Sequence, residues 1–157
     1  MSNRTRIMAG LLASVSGMLS GMPASAEPLP IPVVAAVKEN KDQCKPDKAT
    51  LKDGFLTRKD VNGDGIVDYV LDYGSFQCGD NSTYLCGSAG CLTQVFASAD
   101  GGFVKVLDEN VQQVSFKKVK GRSAMLLGLH GSACDKVGAA PCGAVLYWNG
   151  SKFSAAH

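Results

Sequence analysis

Asp60, Asn62, Asp64 and Asp68 place four oxygen-bearing side chains within the nine residues DVNGDGIVD. Oxygens at every second position converge on one point only where the backbone coils around it, and Gly63 and Gly65 give it the freedom to coil. Such a shell suits a hard divalent cation, Ca²⁺ above all, which accepts about six to eight oxygens at ~2.3–2.6 Å in irregular geometry. Asp60, Asn62, Asp64 and Asp68 are then the side-chain ligands and Ile66 lends its backbone carbonyl. The competing reading is an ion-free turn, since Asn-Gly and Asp-Gly pairs form turns unaided.

The segment resembles the D-x-[DN]-x-D-G-x-x-D calcium loops of EF-hands, dockerins, thrombospondin type 3 repeats and FG-GAP/VCBS propeller repeats, over about residues 60–73. The resemblance implies that Asp60, Asn62 and Asp64 are the first three side-chain ligands, Gly65 the turn glycine, Ile66 the carbonyl donor and Asp68 the ninth-position ligand. Leu71 stands where an EF-hand carries its bidentate glutamate, and Asp72 follows one residue late. Because VDYVLDY at 67–73 alternates like a strand, the likeness is nearest to the FG-GAP/VCBS type, whose loop runs into β structure. Trp148-Asn149-Gly150 followed by Phe153 is similar to the strand-turn-strand endings of those repeats, but a propeller needs several repeats and this chain has one such loop. The chain as a whole resembles small exported bacterial proteins, a looser likeness that assigns no site. The implied calcium is structural, at the ~10⁻⁴–10⁻³ M affinity of extracellular sites.

Cys44, Cys78, Cys86, Cys91, Cys134 and Cys142 make an even set of six. In a small exported domain that number points to disulfides, because the compartment is oxidising and a modest core gains from covalent restraint. Cys134 and Cys142 flank the loop DKVGAAP and are expected to pair; the pairing of the other four is left open. Zinc is the alternative for Cys86 and Cys91, but the C-x₂-C knuckles of structural zinc sites and the redox C-x-x-C are both missing.

A hydrolase would draw on His130 with Ser132 and Cys134 in LHGSAC, a base beside two nucleophile types. No G-x-S-x-G elbow, H-E-x-x-H or Walker A loop accompanies them. A carboxylate pair for glycoside hydrolysis would come from Asp68, Asp72, Asp108 and Glu109, whose separations sequence does not give. His157 ends the chain without context. Asn81-Ser82-Thr83 and Asn149-Gly150-Ser151 match the glycosylation sequon, which matters only in a eukaryotic secretory route. Lys117, Lys118, Lys120 and Arg122 form the one basic cluster and read as a lysine-guarded strand edge; an anionic polymer or membrane surface is the minority alternative.

These residues need elements to hold them. Residues 1–26 run from Arg4 and Arg6 through an uncharged small and apolar stretch to Ala24-Ser25-Ala26, the order of a signal peptide. Of the sixteen basic residues only Arg4 and Arg6 lie there, and none of the fourteen acids, so the remaining chain is neutral. A neutral domain lacks the footprint of a nucleic-acid binder, and no transmembrane segment is expected after cleavage. Residues 27–43 comprise a proline-rich extended lead-in, EPLPIPV at 27–33, and a short helix over 33–42. Residues 44–157 should form one disulfide-stapled β-rich domain holding the loop at 60–68.

Strands are expected at 67–73 (Val67, Tyr69 and Leu71 on one face), 92–98, 103–107, 111–119, 124–130 and 144–148. The turns are Ala99 to Gly102, Lys120 to Arg122 and the two-residue Asn149-Gly150. The fold class is therefore mainly β: an antiparallel meander of five or six short strands, with a short N-terminal helix or a second sheet as cover and disulfide-pinned loops. Residues 77–91, with three cysteines and no period, read as a pinned loop and a candidate binding surface. The function expected is a periplasmic or secreted, calcium-stabilised binding module without catalysis, acting on an extracytoplasmic protein or glycan. The alternatives are a small hydrolase using His130, or an inhibitor presenting loop 77–91 to a secreted enzyme.

Overall fold

The computed structural model describes residues 27–155 apart from Ala139; the expected signal peptide and His157 lie outside the described residues. The chain is mainly β and antiparallel throughout, with one α-helix and three disulfides pinning its loops. The helix α1 spans Ile31–Gln43. It begins two residues before the expected start and absorbs the end of the lead-in. Pro32 permits this, because a first-turn residue has no intrahelical N–H bond to lose. Val33, Ala36 and Asn40 recur at helical spacing and form its buried stripe.

Eleven strands follow: β1 (Ala49–Leu51), β2 (Leu56–Lys59), β3 (Asp68–Asp72), β4 (Phe76–Cys78), β5 (Cys86–Gly87), β6 (Gly90–Ala99), β7 (Gly102–Val111), β8 (Gln113–Val119), β9 (Arg122–Leu129), β10 (Cys142–Trp148) and β11 (Phe153–Ala155). The central sheet runs β2, β3, β6, β7, with β5 beside β6 beyond the end of β3. A second sheet runs β11, β10, β9, β8, and β1 pairs with β4 as a small ribbon. The two long hairpins turn through Asp100-Gly101 and Lys120-Gly121, all four residues at positive φ as a type I′ turn demands.

The middle of the central sheet, β3 and most of β6, is buried on both faces. Tyr69, Leu71 and Phe96 pack with Val33, Ala36, Phe55, Tyr73 and Phe76 in a core beneath α1 and the β1/β4 ribbon. Val70, Val95, Ala97 and Leu107 pack on the other side against Met125, Leu127 and Phe153 of the second sheet. The helix and a second sheet, expected as alternatives for covering one face, therefore cover one face each. This is why β3 is buried at Asp68, Tyr69, Val70 and Leu71 in succession, whereas Val67 lies ahead of it and is exposed. Polar groups that enter these cores bring partners, and no buried side-chain nitrogen or oxygen among the described residues lacks one.

One turn and one loop differ from expectation. At the last hairpin Trp148 pairs with Phe153, so the tip is Gly150-Ser151 rather than Asn149-Gly150. Asn149 donates its N–H to the Lys152 carbonyl at 3.0 Å, while its Oδ1 accepts from the N–H groups of Ser151 and Lys152. An Asx side chain thus replaces a main-chain acceptor and moves the turn by one residue. Segment 77–91 holds more regular structure than a loop, with the end of β4, all of β5 and the start of β6 inside it.

Candidate functional site

The loop 60–68 is a ladder of side-chain to main-chain hydrogen bonds. Asp60 accepts from Gly63 N–H at 2.6 Å and from Gly65 N–H at 2.9 Å, one to each oxygen. Asn62 Oδ1 accepts from Asp64 N–H at 3.0 Å, and Asp64 Oδ1 from Ile66 N–H at 2.7 Å. Each bond bends the chain back over the side chain that accepts it, which is the mechanism of an Asx turn. Gly63 and Gly65, at φ +86° and +85°, occupy the left-handed region that this coiling needs. A Cβ at Gly63 would also stand 2.5 Å from Ser123 Oγ, because the loop rests on the β8/β9 hairpin.

The loop feeds directly into β3, and Asp68, its last acid, is fully buried. One carboxylate oxygen takes Val61 N–H at 2.7 Å; the other takes Ser98 N–H at 2.8 Å and contacts Ser98 Oγ at 2.9 Å. Ser98 Oγ also lies 2.6 Å from Asp64 Oδ2. Two carboxylate oxygens that share one hydroxyl at these distances stand no more than about 5.5 Å apart. Asn62 Nδ2 joins them, donating to the Ser98 carbonyl at 2.8 Å and to Asp64 Oδ2 at 3.1 Å. Burial works against ionising Asp64, but the bonds from Ser98, Ile66 and Asn62 outweigh it and hold the carboxyl below the usual carboxylate range.

Asp64 and Asp68 are thus gathered on Ser98 of β6, while Asp60 faces the glycine N–H groups of its own loop. Among the described residues no three His, Cys, Asp or Glu side chains cluster as a metal cage. A cation here would draw on the Asn62 amide and the Ile66 carbonyl beside Asp60, Asp64 and Asp68, a donor set whose hard oxygens fit Ca²⁺ rather than zinc or copper. Ser98, thirty residues beyond Asp68, carries no motif. Only the register of β3 on β6 brings it to the loop.

All six cysteines are paired: Cys44 with Cys78, Cys86 with Cys91, Cys134 with Cys142. The last is the expected bridge. The second removes the thiolates a zinc site would need. Cys86 and Cys91 face each other across β5 and β6, so the hairpin itself brings them together. Such bonds persist in oxidising compartments, and no helix among the described residues is long and apolar enough to cross a membrane.

The catalytic candidates have other attachments. His130 Nδ1 lies 2.8 Å from Ser132 Oγ in the same short turn, and Cys134 is a disulfide partner and no free nucleophile. The ring's other nitrogen faces Gly138, where a Cβ would come within 2.4 Å of it, so glycine leaves room for the imidazole. Asp72 Oδ1 caps Gly74 N–H, and Asp108 accepts from Gln94 and pairs with Lys105. Asn81 and Asn149 each accept from the hydroxyl two residues on, as turn formers do. In segment 77–91, Tyr84 donates its hydroxyl to the Gln43 carbonyl at 2.9 Å, tying the segment to the end of α1.

Lys117 and Lys118 lie on β8, the edge of the second sheet, and Lys120 and Arg122 at its hairpin turn. The Arg122 guanidinium stacks 4.7 Å above the Tyr147 ring. No family model matches this chain, and no curated protein or solved structure is significantly similar to it.

Proposed function

We propose that this protein is a calcium-stabilised binding module of the periplasm or extracellular space, without catalysis of its own. The observation that carries the calcium reading is the gathering of Asp64, Asp68 and the Asn62 amide around Ser98. Two carboxylates drawn this close repel, and a divalent cation at the mouth of the loop relieves that repulsion where hydrogen bonds alone only reduce it. The three disulfides favour an oxidising compartment, where calcium is abundant enough to fill a weak structural site. Asp60, Asn62, Asp64 and Asp68 are the proposed side-chain ligands, with the Ile66 carbonyl beside them.

The binding role rests on a rigid stapled scaffold whose catalytic candidates are engaged in turn and hairpin structure. Its partner class is an extracytoplasmic protein or glycan. The calcium test is a melt in EDTA followed by one in ~10 mM Ca²⁺. At about a hundred times the Kd, calcium adds ~2.7 kcal/mol, a rise of roughly 5–15 °C for a domain of this size. Asp64→Ala should lower the melt in EDTA, since it removes bonds to Ser98 and Ile66, and should abolish the calcium increment. A wild-type melt identical in EDTA and calcium sinks the calcium reading and leaves an ion-free Asx turn.

A further inference from the structure

The two sheets do not close against each other along one side. There β2, the edge of the central sheet, faces β8, the edge of the second, and three adjoining hollows lie along β8. The middle one, about 360 Å³, has Thr57 and Lys59 of β2 on one wall and Val114 and Phe116 of β8 on the other, over Val70. At the loop end it shares Lys59 and Phe116 with a hollow of about 220 Å³ rimmed by Lys117 and Lys118. At the far end it shares Asp72 and Val114 with one of about 350 Å³.

The backbone on the β8 side is open. The two-residue turn Lys120-Gly121 makes Val119 and Arg122 a hydrogen-bonded pair, so alternate residues of β8 bond to β9 while Val114, Phe116 and Lys118 turn their peptide groups outward. Lys59, Lys117 and Lys118 gather at the loop end of the groove, while Asp72 lines its middle and far end with one oxygen on Gly74 N–H. The ion pairs of the described residues join Asp42 to Lys38 and Lys45, and Asp108 to Lys105; Lys59, Lys117 and Lys118 belong to none. Asp60, which lines the same hollow as these lysines, has both oxygens on glycine N–H groups of its own loop. The Lys59 ammonium sits 5.9 Å from the Phe116 ring centre, reaching across the gap between the sheets.

We propose that this groove takes an extended acidic peptide, which adds to β8 as a strand. Its main chain pairs with the outward peptide groups of Val114, Phe116 and Lys118. Alternate apolar side chains lie on Val70, Val114 and Phe116, and its carboxylates meet Lys59, Lys117 and Lys118. Lysines on an edge strand repel a second copy of the same edge, and the same charges select a partner of opposite sign. The proposal rests on the reading of the protein as a binding module and is independent of its calcium.

The test is fluorescence anisotropy of the disulfide-intact protein with a labelled nine-residue peptide alternating Glu and Val, in EDTA and again in Ca²⁺. Saturable binding in both buffers is expected. It should weaken at least tenfold when the peptide is N-methylated at alternate amides, and at least tenfold in Lys117→Glu/Lys118→Glu, whose exposed positions leave the fold intact by circular dichroism. No binding up to 1 mM overturns the proposal, as does equal binding of the N-methylated peptide. Competition by a sulfated oligosaccharide at equal charge, with the N-methylated peptide still bound, shows a charge patch only and also overturns it. Calcium-independent melting with the peptide bound removes the calcium reading alone; a calcium-raised melt without peptide binding removes the groove alone.

Discussion

Tyr73 shows how single side chains connect the layers. Its hydroxyl accepts from Asn40 Nδ2 of α1 at 2.9 Å and donates to Gln94 Oε1 of β6 at 2.9 Å; Gln94 Nε2 donates onward to Asp108 of β7. The phenol is fully buried, and that burial, against the opposing bond from Asn40 and with the nearby charges of Asp108 and Glu39, pushes its pKa up to about 12. The sign of its pH effect follows. Above about pH 10 the unfolded chain releases this proton while the native state keeps it, so stability falls between about pH 10 and 12 and then levels. The loss is on the order of 2–3 kcal/mol. Tyr73→Phe should remove that alkaline slope and cost ~1–3 kcal/mol at neutral pH by leaving Asn40 and Gln94 short of a partner; urea melts of both proteins at pH 7, 10 and 12 read both effects. The coiling of the loop that carries Asp60, Asn62, Asp64 and Asp68 was legible from its Asx and glycine spacing. The contact of Asn62, Asp64 and Asp68 through Ser98 was not, because it depends on a residue with no motif on another strand.

Strand β3 explains why some elements were read more completely than others. The two-residue period of VDYVLDY located it, and the tight turns gave the antiparallel pairing of β6 with β7 and of β8 with β9, whereas its own neighbours β2 and β6 lie across longer connections. Periodicity tells which residues share a face but not what covers each face, and here both are covered. Leu71 is inaccessible and lies in the core under α1. Leu71→Ala should cost ~2–5 kcal/mol, the range for a truncated core leucine whose cavity cannot collapse, as measured by urea denaturation. The helix was visible from its apolar-then-charged order, but its start was not. Pro32 reads as a breaker in sequence and becomes acceptable only because it falls in the first turn. The turn at Asn149 moved for a similar reason, a side-chain acceptor replacing a carbonyl.

For the whole molecule the disulfides divide the work of restraint. Cys44–Cys78 spans 34 residues and fastens the end of α1 to β4, whereas Cys86–Cys91 and Cys134–Cys142 close loops of 5 and 8. Chain entropy grows with loop length, so the double variant Cys44→Ser/Cys78→Ser should cost ~3–4 kcal/mol and more than either of the other paired replacements. Calorimetric melting of the three double variants orders them, and an equal loss from all three contradicts the entropic account. Sequence by itself determined the coiled Asx and glycine loop at 60–68, the even cysteine set with its Cys134–Cys142 bridge and the mainly β, antiparallel character, because each is written in local spacing and side-chain chemistry. Tertiary structure decided the rest: how the other four cysteines pair, that β3 and β6 are covered on both faces, that Ser98 gathers Asp64 and Asp68, and that β2 and β8 leave a groove between them with three lysines at one end. Those are contacts between segments tens of residues apart, fixed by strand register and layer packing, which no local pattern encodes.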